Sequence, residues 1–167
     1  MNRRAMSLFL ARAGALGMLG AAVPVWARSA PAASIPSAAR IAPSKLAARL
    51  NDASAPAPLI LQVGFRMLFD QAHIRGAEFA GPAGQDDGLA LLRARVAPLP
   101  RESPIVIYCG CCPWSHCPNI AAAYDALHAL GFTQLQVLHL AHNFGDDWVR
   151  AGYPVSGNAS PAAPHAN

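Results

Sequence analysis

The chain has 167 residues, 53% apolar and 13% charged, which fits one globular domain and excludes a disordered charged chain, a coiled coil and a collagen-like repeat. The formal charge of +4 is no nucleic-acid signature, because Arg3, Arg4 and Arg12 lie in an N-terminal segment expected to be removed, which leaves ten Lys and Arg against nine Asp and Glu from Arg28 onward. Such a near-neutral remainder offers no basic field to nucleic acid or to an anionic membrane surface.

Residues 1–27 read as an export signal. Arg3 and Arg4 precede the uncharged apolar run 13–26, whose 14 residues suit a signal core and fall short of the roughly 20 that span a membrane. Val25 and Ala27 place modest side chains where a signal peptidase reads them, so cleavage is expected after Ala27. The paired arginines and weakly hydrophobic Ala/Gly core are twin-arginine-like, with the general secretory route as the alternative. No cysteine directly follows the run, which argues against a lipid anchor. A periplasmic or secreted chain with no stable membrane span after cleavage is the expectation.

Residues 28–42 are Ala/Pro/Ser-rich and are expected to form a flexible linker, as is the tail 156–167. The domain is expected over 43–155. A helix is predicted over 43–50, with Leu46 and Leu50 on one face. The nearly continuous apolar run 59–63 predicts a buried parallel strand. Leu89, Leu92 and Val96 predict a helix over 85–96, stopped by Pro98 and Pro100. Residues 105–108 (IVIY) are the clearest strand. Ile120, Tyr124 (or Ala123), Leu127 and Leu130 stripe a helix over 119–130 that Gly131 ends. A strand over 135–140 and a short helix over 146–151 complete an alternation that predicts an α/β fold with a mostly parallel sheet covered on both faces.

All four cysteines fall in one loop, Cys109-Gly-Cys111-Cys112-Pro-Trp-Ser-His-Cys117-Pro-Asn, between the strand at 105–108 and the helix opening near Asn119. Ligands of open α/β sheets bind outside the carboxyl ends of the strands. A loop that feeds a helix also presents backbone N–H groups and a positive dipole end, which should favour a thiolate on Cys109. Four cysteines in a Pro/Gly-containing loop at this edge point to thiol chemistry rather than to core packing.

The segment 69–77 (FDQAHIRGA) is similar to a GHIxGA stretch, and 148–155 (WVRAGYPV) to a WxxaGyPv ending. With the strand-end Cys109 between them, the chain resembles the rhodanese family of sulfurtransferases over about residues 43–155. The resemblance implies a three-layer α/β/α domain with a central, mainly parallel five-stranded sheet. It also implies a sulfurtransferase with Cys109 as nucleophile and persulfide carrier, a small sulfane-sulfur donor and a thiol acceptor. The family's active loop is C-x-x-G-x-R, and here its glycine position holds Cys112 and its arginine position Trp114. The usual DVR strand motif is Gln62-Val63-Gly64, and Ala141-His142-Asn143-Phe144 stands where a glycine pair precedes the tryptophan. Loss of the arginine removes the charge-assisted fork for a dianion such as thiosulfate. His116, His142, Arg66 and Arg75 are the candidate substitutes. The Cys-x5-Arg loop of the fold's phosphatase relatives is absent too, with Ser115 at the arginine position.

Three chemistries compete for the extra cysteines. Cys111, Cys112 or Cys117 resolves or relays a persulfide formed on Cys109; the loop is a dithiol–disulfide site; or the thiols hold a soft metal such as Cu(I), with His116, His139 or His142 as further ligands. The first requires no cofactor. Trp114 either shields a persulfide from water or packs the loop. His73 is expected to order a turn, His128 to face solvent and Trp148 to lie in the core.

Overall fold

The three apolar runs pair with one another. In the computed structural model, which describes residues 35–54 and 56–158, β2 (Leu59–Gln62), β5 (Ile105–Tyr108) and β6 (Leu135–Leu138) lie side by side, with Leu59 opposite Ile105 and Ile105 opposite Leu135. Two-residue strands complete the margins, β1 (Arg40–Ile41) beyond β6 and β4 (Glu78–Phe79) beyond β2. The five strands run β1-β6-β5-β2-β4 and every pair is parallel. This is the α/β architecture with the five-stranded sheet that the sequence implied.

Alternation along the strands feeds two cores. Leu61, Ile105, Ile107 and Val137 pack with Leu92, Val96, Ile120, Ala123 and Leu127 of α3 (Asp86–Val96) and α4 (Pro118–Ala129). Ile60, Val106, Tyr108 and Leu138 pack on the other face with Leu46 of α1 (Pro43–Asn51), Phe144 and Trp148. Each fully buried Leu, Ile or Val contributes about 1.5–3 kcal/mol relative to leaving it in water, so these strands set the register. α1 and α4 both open on a proline, where the missing N–H costs nothing. α4 buries Ala123 rather than Tyr124, which stacks on exposed His128, and Leu130 is left 36% exposed. Gly131 ends α4 at φ +85°, its N–H bonded to the His128 carbonyl, as the sequence suggested.

Other segments depart from expectation. The expected signal 1–27, residues 28–34 of the expected linker and 159–167 of the expected tail lie outside the described residues. The rest of that linker is no spacer: Ile35 is 3% exposed, Ser37–Ala39 form a 3₁₀ turn and Arg40–Ile41 pair with β6 as β1. At the other end, β7 (Val155–Ser156) pairs antiparallel with β3 (His73–Ile74), so the first tail residue is held in a ladder. The short helix α2 (Arg66–Gln71) precedes β3. The closing helix begins one residue early, as a π turn over Gly145–Val149. Trp148 is fully buried there, as expected, and donates its indole N–H to the Pro154 carbonyl at 3.0 Å. Among the described residues no helix is long and apolar enough to cross a membrane.

Candidate active site

From β2 the chain moves outward to β4, and from β5 it moves the opposite way to β6. The strand order therefore reverses between β2 and β5, and a crevice outside their carboxyl ends is where such a sheet binds ligands. Cys109 follows β5 directly, and Val63 and Gly64 follow β2. The Val63 N–H extends the ladder to the Tyr108 carbonyl at 2.8 Å. Gln62, 2% exposed, donates from Nε2 to the Cys109 carbonyl at 3.0 Å, while its buried Oε1 accepts no hydrogen bond. Asn119, in the first turn of α4, donates from Nδ2 to Cys109 Sγ at 3.4 Å and accepts the Gly84 N–H on Oδ1 at 2.8 Å.

Close packing extends to the backbone at residue 64. A Cβ there would stand 2.9 Å from the Cys109 carbonyl oxygen, 2.9 Å from Cys109 Sγ and 2.9 Å from Gln62 Nε2. Gly64→Ala is expected to push the two strand ends apart, break the Gln62–Cys109 bond and destabilise the domain by about 1–3 kcal/mol. A lower urea midpoint at unchanged m-value measures this, and an unchanged midpoint contradicts it.

The loop gathers its thiols. Cys109 Sγ is 3.3 Å from Cys111 Sγ, which is 3.2 Å from Cys112 Sγ. The sulfurs of Cys109, Cys111 and Cys117 all lie within 4.8 Å of one another, with Cys109 and Cys117 buried and Cys111 exposed. All four cysteines are free thiols. Gly110, at φ +94°, turns the chain immediately after the first of them. Its carbonyl accepts the Phe144 N–H at 3.0 Å, tying the loop to the π turn.

Electrostatics here oppose the easy ionisation expected from the sequence. The bond from the Cys111 thiol favours a Cys109 thiolate, but the contact with the Cys117 thiol, burial and the Cys117 charge outweigh it, so Cys109 is pushed up to about 12. Cys111 is raised by its bond to Cys109 and by burial, and Cys112 chiefly by burial. The helix start does not compensate. The N–H groups of Trp114, His116 and Cys117 donate to the carbonyls of Leu140, Pro113 and Trp114, and Pro113 and Pro118 have none to give. Three of the loop's backbone donors are thus committed to carbonyls of the protein.

Cys109 and Cys111 face a pocket of about 460 Å³ whose walls include Gln62, Leu68, Tyr108 and Phe144. Among the described residues, no Lys, Arg, His, Asp or Glu lines it. The Tyr108 hydroxyl, raised above the ordinary tyrosine value by burial, accepts the Ile74 N–H.

The candidate anion supports lie elsewhere. His116 is exposed and bonded to Ser115 Oγ at 3.0 Å. His142 is exposed and pairs with Asp147 at 2.9 Å, which raises its pKa. Arg66 stacks on Phe79, and Arg75 reaches Asn51. Trp114 packs the loop: it is 8% exposed, with His139 at its edge and the Arg40 guanidinium over its ring. His73 bonds the Phe69 carbonyl at 2.8 Å, ordering the turn as expected. Gln62 and Asn119, which hold Cys109 from two sides, were not singled out from the sequence. An amide at the end of a buried strand and another in the first turn after the Cys loop were the only available signals.

No protein-family model matches the chain, and no curated protein matches it. Solved structures share its fold. The rhodanese-like domain of an Anabaena protein is 23% identical, with a TM-score of 0.55 over 77% of this chain and 86% of that one. A Bacillus halodurans protein is 18% identical with a TM-score of 0.54, covering 71% of this chain and 76% of the other. A rhodanese-related protein from Thermoplasma volcanium is 20% identical with a TM-score of 0.50, covering 71% and 98%. The fold is rhodanese-like, and the cysteine-rich loop follows β5.

Proposed function

We propose that the chain is an exported sulfurtransferase or sulfur carrier that forms a persulfide on Cys109. The observation that carries this reading is the place of Cys109 in the pocket lining, with its Sγ 3.3 Å from the thiol of exposed Cys111. The Cys109 thiolate attacks the terminal sulfur of a donor R–S–SH, forming the new S–S bond while the thiolate RS⁻ leaves. The sulfur then passes on when a second thiolate attacks that outer atom and Cys109 departs as the thiolate. Cys111 is placed to take it, because it reaches both the buried sulfur and solvent, where an acceptor thiol can meet it. An apolar pocket without a cation disfavours a dianion, so the donor class is an organic hydropersulfide, at most singly charged and reacting as neutral R–S–SH, rather than thiosulfate. Export rests on the arginine pair and the short apolar run before Ala27.

Native intact mass tests both parts. Metal-free, reduced protein from the periplasm is expected to begin at Arg28 and to gain one sulfur atom from benzyl hydropersulfide faster than from thiosulfate. Cyanide should remove that sulfur, and Cys109→Ser should not acquire it. A chain that gains no sulfur and loses two hydrogens, restored by reductant, would replace this reading with dithiol–disulfide exchange.

A further inference from the structure

We propose that Cys109, Cys111 and Cys117 form an all-sulfur site for a monovalent soft cation, Cu(I), with Cys112 as an exchange ligand beside exposed Cys111. This goes beyond sulfur transfer and does not depend on it. Metal–thiolate bonds of about 2.3 Å in trigonal or tetrahedral geometry place sulfurs roughly 3.7–4.0 Å apart. The three sulfurs already lie within 4.8 Å of one another, and Cys109 and Cys111, at 3.3 Å, need open by only roughly 0.4–0.7 Å to reach that spacing.

The composition of the cluster selects the metal. Thiolates without nitrogen or oxygen partners favour Cu(I) over harder or imidazole-seeking ions. Among the described residues no imidazole nitrogen joins the cluster; His116 bonds Ser115, His139 packs against Trp114 and His142 pairs with Asp147. Three mutually close sulfurs satisfy a three-coordinate ion, whereas structural zinc closes a four-ligand tetrahedron.

The surroundings also lack what the sulfurs need. No cationic side chain lines the pocket beside them, so nothing there balances the charge of clustered thiolates. A bound cation supplies that charge: each thiol gives its proton to water as its sulfur binds, and the metal keeps its oxidation state. The Asn119 Nδ2–H bond to Cys109 Sγ is the outer-shell donor that holds such a ligand in place. Cys111 opens the site to solvent, which screens its net negative charge, and half-buried Cys112 offers a further sulfur 3.2 Å from Cys111 Sγ.

The test is an anaerobic titration of the reduced full chain against Cu(I) held by bicinchoninate, followed by the loss of chelate colour and by native mass. One Cu(I) per chain is expected. Cys111→Ser, a change at an exposed position that leaves the circular dichroism intact, should weaken binding by about a hundredfold or more. Cys112→Ser should change affinity only several-fold, because it removes an exchange ligand, while slowing transfer to the chelator. His116→Ala and His139→Ala should change nothing. Cu(I) left on bicinchoninate by the wild type, equal losses in Cys111→Ser and Cys112→Ser, or displacement of the copper by Zn²⁺ would each overturn the assignment. Because the readout is metal stoichiometry, a chain that takes up sulfur but no copper, or the reverse, separates this site from the persulfide reading.

Discussion

Trp148→Ala is expected to destabilise the domain by about 3–5 kcal/mol, the range for deleting a buried tryptophan or phenylalanine. Trp148 has no exposed surface. Its ring lies 6.3 Å from Phe144 and 5.1 Å from Tyr153, centroid to centroid, and its N–H satisfies the Pro154 carbonyl. Alanine leaves both a cavity and an orphaned carbonyl acceptor. Because domains of this size hold only about 5–15 kcal/mol in total, a large fraction of the variant should unfold in moderate urea. The effect should also be local. Trp148 anchors the π turn Gly145–Val149, and Gly145, Phe144 and Val149 are pocket wall. Trp148→Phe keeps most of the volume and loses one hydrogen bond, so its cost should fall to about 1–2 kcal/mol. Urea unfolding of the two variants measures the difference, and equal midpoints would remove the tryptophan from the core account.

The second large effect is a pH dependence. Alkylation of Cys109 by the non-ionising electrophile iodoacetamide, mapped by peptide mass, is expected to rise about tenfold per pH unit between pH 7 and 9, roughly a hundredfold in all, because the thiolate is the nucleophile. With the thiol pushed up to about 12, its ionised fraction stays small throughout that range and grows in proportion to hydroxide. An ordinary cysteine ionising near 8.5 would instead level off by pH 9. The same shift has a sign for stability. The folded value lies above the unfolded one, so the contribution is complete below the unfolded value and is lost as pH rises toward the folded value. The urea midpoint should therefore hold to about pH 8 and decline above about pH 9. A rate that reaches a plateau near pH 8 would show that the crowded thiols ionise more readily than their packing implies.

The legible parts of the fold were those with enough residues to show a pattern. The run 105–108 is buried at all four positions, and the apolar spacing of α3 and α4 survives in Leu92, Val96, Ile120 and Leu127. Two-residue strands have no period, so β1 and β4 were invisible, and β1 sits in a stretch whose Ala/Pro/Ser composition argued for a spacer. The site divides in the same way. Four cysteines between a strand and a helix mark the loop in one dimension, and the sheet topology then puts it over the β2–β5 crevice. The Gln62 clamp on Cys109 joins residues 47 apart, a pairing that no local spacing encodes. The acidity of the thiols follows from sulfur–sulfur distances, burial and the spent amides of Trp114, His116 and Cys117, all of which are properties of the folded loop.

The brevity of the sheet's margins bears on how the molecule behaves in company. β1 and β4 each expose only a two-residue ladder, too little to template the edge-on addition of another chain. Both margins also carry charge: Arg40 lies over Trp114 on one, and Glu78 is held by the Arg95 fork on the other. The long apolar strands that would nucleate aggregates are kept at the centre, flanked by guards that offer an incoming strand almost nothing to zip against. A domain with four reduced cysteines gains from this, since intermolecular oxidation is fastest between molecules already pressed together.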